Sequence, residues 1–217
     1  MEYINPTIPE SEIEENKQKY IELFKNYVVP AYKGADKLLD WICKSDFFEA
    51  PASTRYHLCC KGGLCKHSLN VYERLKKLVF FEYGNEYENA LGVDLSEIVL
   101  IALCHDLCKA NSYKVEMRNV KNDRGEWVKE PFYKYSPEFE MGGHGQKSLF
   151  IIQNCVQGLT LNVCSAIVYH MGASGSPNSP LKDDTAMACM EEFPIVMFTN
   201  MADTMATFID EARAEKV

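Results

Sequence analysis

Apolar residues recur every three to four positions over most of this chain, the period of a helix with one buried face. The pattern predicts helices over Glu12–Val29 and Ala35–Lys44, separated by Pro30 and Gly34. After Gly62 and Gly63, the stretch "LCKHSLNVYERLKKLVFF" carries Leu64, His67, Val71, Leu75 and Leu78 along one face. Asp94, with Glu97 three residues on, has the form of a capping box and opens an apolar helix that runs to His105. Helical periodicity returns at Gln146–Cys155, Asn162–His170, Thr185–Glu192 and Ile195–Ala214. Residues 111–135 break it with short β-favouring pieces around the turn signal "NDRG", which predicts an inserted β-hairpin. "MGASGSPNSPLKDD" has the composition of a mobile loop. The fold class expected is therefore an all-α, mainly helical bundle with a small β-hairpin around residues 111–135. Residues 1–50 are read as helices packed on a core built from 51–217, in one compact unit without internal repeats.

Composition narrows the setting. The chain has 217 residues, 47% hydrophobic and 25% charged, which is ordinary for a globular domain that buries a core. No apolar run approaches the roughly 20 residues of a membrane span. "MEYINPTIPESEIEENKQKY" lacks the charged-then-apolar order of a signal peptide, so a cytoplasmic location and no membrane partner are expected. Nine cysteines at irregular spacing read as reduced thiols, and Cys104, Cys108, Cys155, Cys164 and Cys189 lie in apolar helical patterns. A formal charge of −8 argues against tight, unspecific nucleic-acid binding, yet leaves room for a small phosphorylated ligand at one basic site.

The candidate chemistry lies in five histidines: His57, His67, His105, His144 and His170. Four fall on, or at the start of, separate predicted helices, and bundle cores are a recurrent place for metal sites built from inward-facing side chains. Asp106 and Asp203 would add carboxylates, and imidazole suits transition metals. Taken singly, His67 and His144 read better as core histidines. "HD", "GHG", "YH" and "AD" at helix-like intervals shift the balance toward a ligand set, although spacing alone leaves both readings open. A structural zinc site at Cys59, Cys60, Cys65 and His67 is the competing metal reading. Adjacent cysteines chelate one ion poorly, and the usual two-to-four-residue pairs are missing.

The ordered set His67, His105-Asp106, His144, His170 and Asp203 resembles the signature of the HD-domain metal-dependent phosphohydrolases. "GGLCKHSLNV" is similar to the family's first-histidine helix and "HDLCK" to its His-Asp-x-x-Lys element. "MGGHGQKS" and "AIVYHMG" resemble the two further histidine segments, and "NMADTMAT" the closing Asp helix. These segments run from about residue 51 to 208. The resemblance implies an HD-domain bundle in which His67, His105, Asp106 and Asp203 hold one divalent metal. His144 and His170 would join Asp106, as bridge, at a second, unless one of them contacts substrate phosphate instead. Mn, Fe, Ni, Co, Zn and Mg are all compatible with such mixed N/O ligation.

The implied reaction is hydrolysis of a phosphoester of a small nucleotide-like substrate by metal-activated water. Lys109, one helical turn beyond Asp106, is a candidate catalytic and phosphate-binding residue; the plainer reading is a solvated cation at a helix C-terminus. His57 in "PASTRYHLCCKGGL" is a candidate proton donor or substrate contact, weighed against a structural loop histidine, and Arg55 is a further phosphate candidate. From Lys109 to Lys134, seven Lys or Arg face four acids, a local charge of +3, with Tyr113, Trp127, Phe132, Tyr133 and Tyr135 interleaved. Cations such as Lys114 and Arg118 among aromatics suit a nucleobase and its phosphates; a surface hairpin stabilised by one apolar face explains them equally well. The hairpin and the Gly/Ser/Pro loop are read as a lid or a homodimer contact. Two alternatives stand beside the first reading: a phosphodiesterase or 3′-5′ exonuclease on single-stranded nucleic acid, and a non-catalytic nucleotide-binding HD module.

Overall fold

In the computed structural model, which describes residues 7–122, 124–172 and 183–211, the first helix does not stop at its proline. Helix α1 (Glu10–Leu23) widens into a π turn at Phe24–Val28 and continues through a short turn, α2 (Val29–Ala31), that contains Pro30. A wider turn accommodates both the missing N–H and the clash of the ring with the carbonyl four residues back. The reversal comes instead at Gly34, at φ 88°, where a Cβ would lie 2.0 Å from the Cys155 carbonyl oxygen. Helix α3 (Ala35–Lys44) follows, buried along Leu38, Leu39 and Ile42.

Helices α4 (Gly63–Tyr83), α5 (Tyr87–Leu91) and α6 (Leu95–Cys104) come next. Helix α6 is central: every residue from Ile98 to Cys104 is fully buried, as expected of a helix apolar all round. Its start is set by the predicted capping box. Asp94 Oδ1 accepts from the Glu97 N–H at 2.9 Å, and Glu97 Oε2 accepts from the Asp94 N–H at 2.9 Å. The N-terminal region is tied to this helix by Tyr20, whose hydroxyl donates to the Leu103 carbonyl at 3.0 Å and whose ring packs on Phe47 and Phe48. One buried apolar cluster reaches from Tyr20 to Ala206.

The expected hairpin is present as β1 (Tyr113–Lys121) and β2 (Trp127–Tyr135), antiparallel from Tyr113 opposite Tyr135 to Lys121 opposite Trp127. Its turn is held by Asn122, whose Oδ1 accepts from the N–H groups of Arg124 and Glu126. Val115, Met117 and Trp127 are largely exposed on it.

Helices α7 (His144–Gln153), α8 (Leu161–Val168), α9 (Asp183–Glu192) and α10 (Ile195–Met205) complete the bundle, and α10 runs into a second π turn, Ala206–Asp210. Two of the boundaries that differ from expectation place site histidines. Helix α7 begins at His144 because the Gln146 side chain accepts the Gly143 N–H, and α8 ends at Val168, which leaves His170 beyond the helix. Of the predicted Gly/Ser/Pro loop, residues 173–182 lie outside the described residues, as do 212–214 of the expected last helix. Among the described residues, no helix is long and apolar enough to cross a membrane.

Helices α4 and α8 pack on α6, α10 lies across α4 and α8, and α7 lies on α8. The α7–α8 approach depends on Gly145, where a Cβ would lie 2.2 Å from the Val168 carbonyl oxygen. Gly145→Ala should lower stability by about 1–3 kcal/mol through overpacking, and Asp94→Ala by about 1 kcal/mol through loss of the cap. Denaturant midpoints at constant slope measure both; an unchanged midpoint in either variant contradicts the corresponding account.

Candidate metal centre

Two of the site histidines are aimed by the same local device. An α-helix leaves its last carbonyls without intrahelical partners. His105, capping α6, places Nδ1 2.9 Å from the Ala102 carbonyl, and His170, just past α8, places Nδ1 2.8 Å from the Ile167 carbonyl. Only a protonated Nδ1 can donate there, so each ring is fixed with its Nε2 lone pair directed inward, as ligating histidines require. The His170 peptide is held in turn by Asn200 Nδ2, which donates to its carbonyl at 2.8 Å.

The Nε2 atoms converge on Asp106, which is 3% exposed. His67 Nε2 lies 3.7 Å and His105 Nε2 3.5 Å from Asp106 Oδ2, and His170 Nε2 lies 3.6 Å from Oδ1. His67 Nε2 is also 3.3 Å from His105 Nε2 and 3.2 Å from Asp203 Oδ1. Ligand atoms on one metal, at bonds near 2.1 Å, sit about 3.0–3.4 Å apart, so this spacing fits a shared ion. His170 Nε2 is buried and lacks a hydrogen-bond partner among the described residues. A buried imidazole nitrogen left without a hydrogen bond and aimed at a carboxylate fits a metal ligand.

Electrostatics point the same way. Burial opposes ionisation of Asp106, but the Lys109 ammonium, 2.6 Å from Oδ2, and the His105 ring outweigh it and hold its pKa well below the usual carboxylate range. Burial likewise opposes protonation of His67, yet Glu211 and Asp203 outweigh it and push its pKa up to about 10. His170 is raised in the same sense, burial being overcome by Asp106. Three carboxylates, Asp106, Asp203 and Glu211, stand against the single ammonium of Lys109. These carboxylates draw positive charge to the site, as protons on His67 and His170 or as a metal cation that would replace them.

Glu211 is the site residue that sequence reasoning missed. Its carboxylate accepts from His67 Nδ1 at 3.0 Å, His57 Nδ1 at 2.5 Å and Asn70 Nδ2 at 2.9 Å. Asp203 and Glu211 thus take opposite nitrogens of one imidazole. A regular helix would carry Glu211 roughly 80° around from Asp203, and the π turn between them slows that rotation so that both face His67. The "FIDEARAEK" segment reads as a solvated acidic face, and only the eight-residue separation from Asp203 hints otherwise.

The predicted residues are brought together to different degrees. Among the described residues, four groups of potential ligand atoms, each within 4.8 Å, are His67/His105/Asp203, His105/Asp106/His170, Asp106/Cys108/His144 and His57/His67/Glu211. His144 and His170 therefore approach Asp106 from different groups rather than as one pair. Cys108, read from sequence as a small hydrophobe, is close, but burial raises its thiol to about 12 and keeps it protonated. Burial lowers the pKa of both His57 and His144. These two, with Asp106, Lys109 and Asp203, line a cavity of about 670 Å³ whose other walls include Tyr56, Tyr113, Tyr135 and Phe208. Arg55 and Arg118 lie outside this cavity, on a separate pocket of about 260 Å³, and Lys114 is exposed on β1.

Comparison with family models, curated proteins and solved structures returns no match. Buried His, Asp and Glu groups able to hold a metal ion are thus features of this chain's own geometry. Glu211→Ala should weaken divalent-metal binding about 10- to 100-fold, the usual effect of removing a carboxylate behind a ligating histidine. Titration calorimetry with Mn²⁺ or Zn²⁺ reads this directly, and unchanged affinity would remove Glu211 from the site.

Proposed function

We propose that this protein is an HD-type, metal-dependent phosphohydrolase acting on the phosphoester of a small nucleotide-like substrate. The observation that carries the reading is the convergence of His67, His105 and His170 on one buried carboxylate, Asp106, with Asp203 beside His67, at the wall of an aromatic-lined cavity. His67, His105, Asp106 and Asp203 would hold a first divalent ion, with His170 and His144 toward a second beside Asp106. Mn, Fe, Ni, Co, Zn and Mg are the candidates. The chemistry such an ion supplies is Lewis acidity toward phosphoryl oxygens and toward water.

The chain's own residues account for the remaining requirements. Lys109 is lifted above its ordinary pKa, since Asp106 and Tyr113 outweigh its burial, and so stays charged. Held by Asp106 at the cavity wall, it presents a fixed positive charge to a phosphate oxygen without a reorganisation step. His57 lines the same cavity with Nδ1 engaged by Glu211. With its pKa lowered by burial, His57 is neutral near pH 7 and suited to take up or pass on a proton. Tyr56, Tyr113, Tyr135 and Phe208 offer flat apolar surface for a nucleobase, and the volume of about 670 Å³ falls within the range of small-molecule sites.

Purified protein should contain or take up divalent metal and hydrolyse nucleotide phosphoesters in a metal-dependent manner. The double variant His105→Ala/Asp106→Ala, folded by circular dichroism, should lose that hydrolysis to background. Metal-dependent turnover retained in the folded variant would overturn the reading.

A further inference from the structure

Next to the large cavity lies the smaller pocket of about 260 Å³, between the hairpin and residues 54–59. Thr54 lines both, so the two spaces adjoin. The pocket is below the roughly 300 Å³ at which independent small-molecule sites begin, which makes it a place for one group of a larger ligand. Its walls carry two arginines. The Arg118 guanidinium lies over the Phe132 ring at 5.6 Å from the centroid, and that of Arg55 over the Tyr56 ring at 5.2 Å. Arg55 also donates from Nη2 to the Tyr56 hydroxyl at 3.2 Å. Glu130 stands opposite Arg118 in the ladder, but among the described residues neither arginine is in an ion pair with a carboxylate, in a chain whose acids outnumber its bases by eight.

We infer that this pocket is a subsite for a second phosphate of the substrate, beyond the one presented to Asp106 and Lys109. A guanidinium laid on an aromatic ring keeps its planar fork in a fixed direction while its N–H groups stay available, the arrangement suited to bidentate phosphate binding. Tyr56 links the two spaces: it lines the large cavity while its ring and hydroxyl hold Arg55 in the small one. A nucleotide seated against the aromatic wall would have its further phosphate directed past Thr54. The inference rests on the phosphohydrolase reading only for the identity of the first phosphate.

Calorimetric binding tests it on the intact protein without requiring turnover. The probes are a nucleoside 5′-monophosphate, the matching 3′,5′-bisphosphate, and a 5′-phosphorylated dinucleotide joined by a non-hydrolysable phosphorothioate. At least one of the two-phosphate ligands should bind tenfold or more tighter than the monophosphate. Arg55→Ala/Arg118→Ala should abolish that preference, and Arg55→Lys/Arg118→Lys should restore part of it. Preference for the bisphosphate alone assigns a terminal phosphate to the subsite; preference for the dinucleotide assigns an internucleotide one. Equal affinity for all three ligands, or a preference that survives the alanine variant in folded protein, overturns the proposal. An arginine-dependent preference without any phosphoester hydrolysis would keep the subsite and remove the phosphohydrolase reading. Metal-dependent hydrolysis without the preference would do the reverse.

Discussion

A carboxylate just past a helix buried from Ile98 to Cys104 is the constraint on which the rest of this molecule depends. Helix α6 is apolar on every side, so its C-terminal extension delivers Asp106 to the middle of the bundle at 3% exposure. An uncompensated charge there costs several kcal/mol. Lys109 answers it from one turn onward in the same chain, at 2.6 Å. The remaining compensation must come from elsewhere, and it arrives as three imidazole nitrogens from α4, the end of α6 and the end of α8. The packing of those helices around α6 and the assembly of the site are therefore one event.

Irregularities in the helices supply the aim. His105 and His170 stand where α6 and α8 run out of hydrogen-bond partners, and each uses a leftover carbonyl to fix its ring. The second π turn rotates the chain after α10 so that Glu211 reaches the far side of the same imidazole that Asp203 faces. His67 is thereby clamped from both nitrogens. Ion pairing of Arg74 with Asp210 fastens that turn to α4, the helix that carries His67.

Charge is distributed unevenly over this frame. The chain is acidic overall, the centre holds more carboxylates than permanent cations, and the hairpin with its neighbouring loop carries Arg55 and Arg118. Under the proposed function, the electronegative interior would hold the metal cation and the positive charge at the pocket mouth would hold a phosphate.

The helical class, the capping box at Asp94, the hairpin around Asn122 and the prominence of His67, His105, Asp106, His170 and Asp203 are legible in the sequence. They depend on local periodicity, on turn chemistry and on residue types costly to bury. Pro30 misled because a π turn, a response to packing, carries the helix past it. Glu211 was hidden for a related reason: its meaning depends on the phase of a helix that changes pitch before reaching it. Likewise, sequence grouped Arg55 and Arg118 with the substrate residues, but only the fold seats them together in a pocket apart from Asp106. By itself, then, the sequence determined which segments are helical and which side chains cannot be buried without a partner. The tertiary structure alone decided who those partners are, because ion pairing and ligand spacing act over a few ångströms between residues up to 154 positions apart.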